Sequence, residues 1–386
     1  MGTLRPPDAT SAASDLVPPV DTFRPDGAPA RLDGARAPDA DLAETGQPPG
    51  DDAGTTYDSE PVGDAAGAHD REPVGLDGSA SPDTGEGPEA APTSPVTVVV
   101  MPDTQYYAAA YPDVFAGQTS WILAQQPALN IAAVLHVGDI VDGFNDPKQW
   151  TVASTAMRPL DGIVPYVLVP GNHDTDVNRM TPIDTYFGPA SMPWITGTMV
   201  AGQIENNYAL LDIGPQQWLV LGLEFGPRDA VVAWADQVLK AYPDRPAILV
   251  THAYLYADGN RYDVALSNAS HQAFIPQDYG YTASQGINDG EMLWQKLVLP
   301  NPNVRMVFCG HDSAAARLTS TRPDGSRVHQ MLSDYQWYGG PSFGYGYLRV
   351  VQLNYGKKTI AVQTYSPYLD QYLTDDANQF VLDWNL

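Results

Sequence analysis

The sequence predicts an α/β domain of two sheets packed face to face, with helices outside, behind a long acidic tail. Three observations predict it. Residues 96–169 alternate apolar runs with helical patterns as βαβαβ, the order of a parallel sheet with covering helices. Residues 208–364 supply a second set of strands with a helix on either side of the run 247–250. Residues 1–95 hold 15 of the 35 prolines, two aromatics (Phe23 and Tyr57), and 19 acidic against 5 basic side chains. Such a segment cannot bury enough apolar surface to offset its ordering entropy, so 1–94 is expected to be a disordered tail and 95–386 the folded domain.

The elements follow in order. The run VTVVVM (96–101) is a strand ending at Asp103. In 112–126, Pro112 suits a first turn, and Phe115, Trp121 and Ile122 make one apolar stripe of a helix. Strand 131–137 ends at Gly138-Asp139. Asp146-Pro147 is an N-cap and first-turn pair for a helix to about Met157. Strand 163–169 runs into Gly171-Asn172-His173-Asp174. Strands 208–213 and 218–224 read as a hairpin across Gly214-Pro215, 228–241 as a helix, and 247–250 as a buried strand ending at Thr251-His252. The polar, Tyr-rich stretch 253–288 has little periodicity, and a loop of that length is usually functional. A helix at 289–298 starts from Asn288 or Asp289. Strand 304–309 ends at Gly310-His311-Asp312, and strands 327–333, 346–353 and 359–364 complete the chain.

Bulk numbers exclude several classes. Net charge is −26, of which about −12 falls after the tail, so no nucleic-acid partner is expected, because that binding relies on Lys and Arg neutralising phosphates. No apolar stretch has the length of a transmembrane helix, and the N-terminus lacks a basic-then-apolar signal. The expectation is a soluble protein without membrane insertion. The tail and the low lysine content lean weakly towards an extracytoplasmic or secreted protein behind a removed leader. The single cysteine, Cys309, reads as a buried core side chain.

Five polar clusters therefore stand where strands end: Asp103-Thr104-Gln105, Gly138-Asp139, Gly171-Asn172-His173-Asp174, Thr251-His252 and Gly310-His311-Asp312. Open α/β sheets bind ligands beyond the carboxyl ends of their strands. Carboxylate, amide oxygen and imidazole are the donors that divalent metals take. A lone histidine at a strand end is usually structural; recurrence at successive ends points to a metal rim.

In order and spacing, Asp103-x-Gln105, Gly138-Asp139-x-x-Asp142, Gly171-Asn172-His173-Asp174, His252 and Gly310-His311 resemble the calcineurin-like metallophosphoesterases, over about 96–365. The resemblance implies a four-layer α/β/β/α sandwich of two mixed sheets and a centre of two divalent metals (Mn, Fe, Zn, Mg or Ca). It also implies hydrolysis of small phosphate esters, with phosphodiesters slightly favoured over phosphomonoesters because no Arg or Lys cluster stands near the motifs. Asp139 would bridge the metals, Asn172, His252 and His311 would complete the second position, and Asp103 would bind the first. His173 would be the general acid, with Asp174 orienting its ring. A water or hydroxide held between the metals would attack phosphorus.

Two positions depart from the family pattern. Gln105 stands where Asp-x-His is usual, and Ser313 where Gly-His-x-His ends. The first position then holds an oxygen-preferring metal through Asp103, Gln105 and Asp139, or fills only with substrate, or stays empty; the first outcome is the expectation. The alternative function is a non-catalytic metal or phosphate binder. Asp142 reads as a helix cap or a partner to a site residue rather than a ligand, and His136 as structural. His69 has no assigned role, and His271 and His329 have minor ones. The stretch Tyr335 to Tyr347 reads as loop packing, while Tyr106, Tyr107, Tyr254 and Tyr256 are placed to line a pocket. Arg179, Arg261 and Arg317 are the cations near the motifs.

Overall fold

A computed structural model describes residues 94–266, 272–338 and 344–384. The expected tail lies, but for Ser94, outside the described residues, as do His69 and His271.

The first sheet is built on β1 (Val96–Met101), β2 (Ile131–His136) and β3 (Tyr166–Leu168), all parallel. On its other side β1 pairs antiparallel with β11 (Leu348–Asn354), then β12 (Thr359–Ser366), which also carries β13 (Gln371–Leu373) and β14 (Phe380–Asp383). The second sheet runs β4 (Ile195–Val200), β5 (Gln203–Ile213), β6 (Gln216–Leu223), β7 (Ala247–Thr251), β8 (Val304–Cys309), β10 (Arg327–Ser333), β9 (Ala315–Thr321). Its centre, β6-β7-β8-β10, is parallel and its edges antiparallel. Both sheets are thus mixed.

The strands are apolar on both faces because both faces are covered. Val98, Val100, Leu135 and Val167 point to Val220, Ile248, Phe308 and Met331 of the other sheet. Val99, Met101, Val134 and Leu168 face the opposite way, against helices α1 (Gln105–Ala110), α2 (Pro112–Leu129) and α3 (Pro147–Met157) through Tyr107, Phe115, Ile122, Trp150 and Met157. On the far side Leu219, Leu221, Leu249 and Val307 meet Val231, Ala235 and Leu239 of the helix Asp229–Ala241 and Leu293 and Leu297 of the segment Gly290–Val298. Three apolar layers separate four structural ones, the expected α/β/β/α sandwich. Each fully buried Val, Leu or Ile contributes about 1.5–3 kcal/mol.

Expected caps form: the Asp146 carboxylate accepts from Lys148 N at 2.9 Å, and that of Asp289 from Met292 N at 2.9 Å. The segment after Asp289 differs from expectation, continuing as a π turn at Trp294–Val298. Strands β4, β9, β13 and β14 and the helices Gln105–Ala110 and Ile183–Phe187 (α4) are absent from the sequence reading. β9, apart from buried Ala316, and β14 mix intermediate and exposed residues, so they lack the apolar run that marks a central strand.

Register brings the clusters together. Met101 lies opposite His136 and His136 opposite Leu168, so residues 103, 139 and 172 leave one rim. Leu223 pairs with Thr251, and Val250 with Phe308, which brings 252 and 311 to the matching rim.

Candidate metal centre

Three glycines create the space in which the polar side chains meet. A Cβ on Gly171 would stand 2.0 Å from Asp139 Oδ1, one on Gly310 2.1 Å from Asp103 Oδ1, and one on Gly138 2.7 Å from His252 Nδ1. Asp139 (φ +50) and His311 (φ +78) hold left-handed backbone without being glycine. Such conformations persist where the surroundings fix them, and they gather at functional sites.

Asp139, His252 and His311 present ligand atoms all within 4.8 Å of one another. His252 Nδ1 donates to Val137 O at 2.9 Å, which aims Nε2 at Asp139 Oδ2 (3.2 Å), Asn172 Oδ1 (3.1 Å) and Asp103 Oδ2 (4.0 Å). His311 Nε2 donates to Phe274 O at 2.7 Å, leaving Nδ1 for a cation, while its backbone N–H donates to Asp103 Oδ2 at 3.1 Å. An imidazole fixed by a carbonyl on one nitrogen and free on the other is how proteins prepare a metal ligand. The long loop thus acts through the carbonyl of Phe274. The rings of Phe225, Tyr262 and Tyr279 close on His311 at 5.0, 5.8 and 5.6 Å. This aromatic wall escaped the sequence reading, because its members are far apart in the chain.

Burial and neighbouring charges set the ionisation of each group. Burial alone would raise Asp139, but the imidazoles of His252 and His173 outweigh it and hold the carboxyl well below its usual range. Burial pushes Asp103 well above its usual range, and the facing carboxylates of Asp334 and Asp139 push it further. Burial would lower His252, yet Asp139 pulls it up. Burial, aided by His252, lowers His311 to about 3, so its ring is neutral. Gln105 is buried, and its Oε1 has no hydrogen-bond partner. An orphaned buried acceptor costs about 1–3 kcal/mol, a deficit that a cation removes. Carboxylate, amide and imidazole donors around glycine-made space fit divalent cations.

His173 differs from the others. Its side chain is 37% exposed, against 0% for His252. Its backbone N–H donates to Asp139 Oδ1 at 2.9 Å, and its Nδ1 lies 2.9 Å from Asp142 O and 3.4 Å from Asp142 Oδ1. Burial would lower this ring, but Asp139, then Asp142, outweigh it and raise it.

Asp174, expected to orient His173, has other hydrogen-bond partners in the structure. The Asp174 carboxylate is fully buried and accepts from the N–H groups of Gly171, Ile140 and Val141 at 2.8, 3.0 and 2.9 Å. It fixes the backbone on which Asp139 and His173 stand, and Asp142 takes the ring. Adjacency in sequence suggested Asp174, but in a tight turn neighbouring side chains point apart.

The remaining candidates are placed as follows. His136 is buried between Thr104 Oγ1 (2.9 Å) and Gly138 N (3.3 Å), and burial pushes it down to about 3. His329 is held by Thr319 and by the Asp383 carbonyl. Cys309 is buried, its sulfur accepting from Leu255 N. Of the four tyrosines expected to line a pocket, Tyr107 and Tyr254 are buried, and only Tyr106 and Tyr256 retain exposure. No helix among the described residues is long and apolar enough to cross a membrane.

The model of the calcineurin-like phosphoesterase family matches residues 96–314. The chain is 38% identical over 285 residues to the uncharacterized protein YvnB of Bacillus subtilis, a match that covers 71% of this chain and 20% of that protein. It thus spans about a fifth of that relative's length. Among solved structures it is similar to a purple acid phosphatase from yellow lupin seeds (15% identity, TM-score 0.46, covering 77% of this chain and 56% of that one). It is also similar to a dimetal phosphatase from Danio rerio (12% identity, TM-score 0.45, covering 75% and 99%). The chain belongs to the calcineurin-like phosphoesterase family.

Proposed function

We propose that this chain hydrolyses phosphate esters, with phosphodiesters slightly favoured over phosphomonoesters. In this reading Asp103, Gln105, Asp139, Asn172, His252 and His311 hold two divalent cations, and His173 is the general acid. The observation that carries the reading is the contrast in exposure: His173 is 37% open at its side chain, while Asp139 and His252 beside it are 3% and 0% exposed. One group can reach a substrate; the others can reach only what lies inside.

Bound cations would neutralise phosphoryl oxygens and supply an attacking water at neutral pH. The chain's own residues do the rest. Asp139, His252 and Asn172 define where the phosphoryl group sits. Asp142 holds Nδ1 of His173, so Nε2 is the ring nitrogen left to face an ester. As the P–O bond breaks, Nε2 gives its proton to the leaving oxygen, and the neutral ring regains one from solvent. The carboxylates of Asp139 and Asp142 favour the protonated ring beforehand, as a proton donor requires.

The preference for diesters is supported by what the nearby cations do. Arg179 donates to the carbonyls of Phe225 and Gly226 and pairs with Glu224 at 3.3 Å. Arg261 is held by Gln330, Glu291 and Ser320, and Arg317 lies over Phe380. Arg179 and Arg261 are thus engaged by protein partners rather than left to meet the second charge of a monoester. The alternative, a binder without turnover, draws on Gln105 and Ser313 in place of imidazoles; the oriented, exposed His173 argues against it.

The test is hydrolysis of bis(p-nitrophenyl) phosphate and p-nitrophenyl phosphate across Mn²⁺, Mg²⁺, Ca²⁺, Zn²⁺ and Fe²⁺. A metal-dependent rate with a higher kcat/KM for the diester is expected. No turnover of either ester with any metal would support the binder.

A further inference from the structure

We propose that Asp334, just past the end of β10, is a ligand of the first metal position, which is therefore built from oxygen donors alone: Asp103, Gln105, Asp139 and Asp334. The inference rests on reading Asp103 and Asp139 as metal ligands, but not on turnover.

Position is the first argument. β8 and β10 are parallel with Cys309 opposite Leu332, so two residues further on His311 and Asp334 leave the same rim. The N–H of Asp334 donates to Ala314 O at 2.9 Å, and the N–H of Trp337 to Ser313 Oγ at 3.2 Å. Asp334 therefore arises beside Ser313, the position where the family pattern would supply the imidazole that this chain lacks. The carboxylate comes from the neighbouring strand end instead.

Unmet bonding is the second. Asp334 is 1% exposed; its Oδ1 accepts from Gln336 N at 2.8 Å, and its Oδ2 is buried with no partner. Gln105, also 1% exposed, leaves Oε1 in the same state. Asp103, Asp139 and Asp334 are all buried, and the N–H of His311, at the strand end beside that of Asp334, donates to Asp103. Like charges brought together out of water require a counter-charge. A cation among them satisfies Oδ2 and Oε1 and offsets the repulsion at once. The sequence carries a trace of this arrangement: Asp334-Tyr335-Gln336 repeats the Asp-x-Gln of 103–105, again just after a strand.

The chemistry separates the two positions. Carboxylate and amide oxygens suit Mg²⁺, Mn²⁺ or Ca²⁺, whereas the imidazoles of His252 and His311 suit Zn²⁺ or Fe²⁺. The inference predicts a centre with one hard and one borderline position.

Calorimetric titration of the metal-stripped full chain with Mn²⁺, Ca²⁺ and Zn²⁺ tests this, comparing the unaltered chain with Asp334→Asn, Asp334→Ala and His252→Ala. The unaltered chain is expected to take two equivalents of Mn²⁺. Asp334→Ala should lose the Ca²⁺-binding position and keep Zn²⁺, and His252→Ala should do the reverse. Asp334→Asn, which keeps the shape and loses the charge, should weaken Ca²⁺ at least tenfold; it decides the matter if the alanine variant does not fold. Two positions of unchanged affinity in both Asp334 variants would overturn the assignment. A single, imidazole-dependent position in the unaltered chain would overturn it too. Binding of no cation at all would refute the underlying metal reading, which sets that failure apart from the other two.

Discussion

His173 and Asp142 are joined through one ring nitrogen: Nδ1 lies 2.9 Å from the Asp142 carbonyl oxygen and 3.4 Å from its carboxylate. The two contacts have separable effects. Asp142→Ala keeps the carbonyl, and so the ring orientation, but removes an anion that favours the imidazolium. The His173 pKa should fall, and the basic limb of the kcat/KM profile should move to lower pH, with kcat lowered about tenfold. An unmoved limb in the alanine variant would remove Asp142 from this role.

Asp174 should behave oppositely. Asp174→Ala leaves three buried N–H groups, those of Gly171, Ile140 and Val141, without an acceptor. Each orphan costs about 1–3 kcal/mol, so a fall in stability of about 3 kcal/mol or more is expected in urea unfolding. A loss of turnover at unchanged stability would restore Asp174 to the role that its sequence position suggested.

Gly171→Ala tests the cradle. The added methyl would meet Asp139 Oδ1 at 2.0 Å and backbone N at 2.4 Å, and neither can yield without moving Asp139. Metal affinity should drop at least a hundredfold, read by titration. Retention of normal affinity would mean that the glycine is incidental.

A pH effect comes from Glu205, which shares a pocket with Arg179 and Phe225. Burial pushes the Glu205 carboxyl up to about 7, and the charges of Asp184 and Glu224 add to this. The folded chain therefore holds this proton more tightly than the unfolded one. The contribution is favourable below the ordinary value of 4.5 and is lost as pH rises from there through about 7. Glu205→Gln should stabilise the chain at pH 8, by about 1 kcal/mol after allowance for solvent screening, and hardly at all at pH 4. An equal effect at both pH values would contradict this.

Most of the fold and rim was legible because parallel strands write themselves as apolar runs, and their polar ends share an edge. Asp103, Asp139, His252 and His311 could be read that way. Edge strands such as β9 and β14 could not, because a half-exposed strand carries no such run. Asp142 was legible only as a cap or a partner to a site residue, and Asp334 not at all, because such placements depend on which way a turn sends a side chain. Asp174 is next to His173 in the chain yet turns inward, while Asp334 ends a strand whose following residues read as an aromatic loop. For the proposed ligand Asp334, the Asp-x-Gln repeat was the available sign.

The central claim is that His173 gives a proton to the leaving group at a metal centre it does not help to build. The most direct measurement compares the unaltered chain with His173→Ala for Mn²⁺-dependent hydrolysis of bis(p-nitrophenyl) phosphate, with bound metal counted in both. A fall in kcat of about 10²–10⁴-fold at unchanged metal content is predicted. Undiminished turnover in the variant, or loss of metal in step with activity, would contradict it.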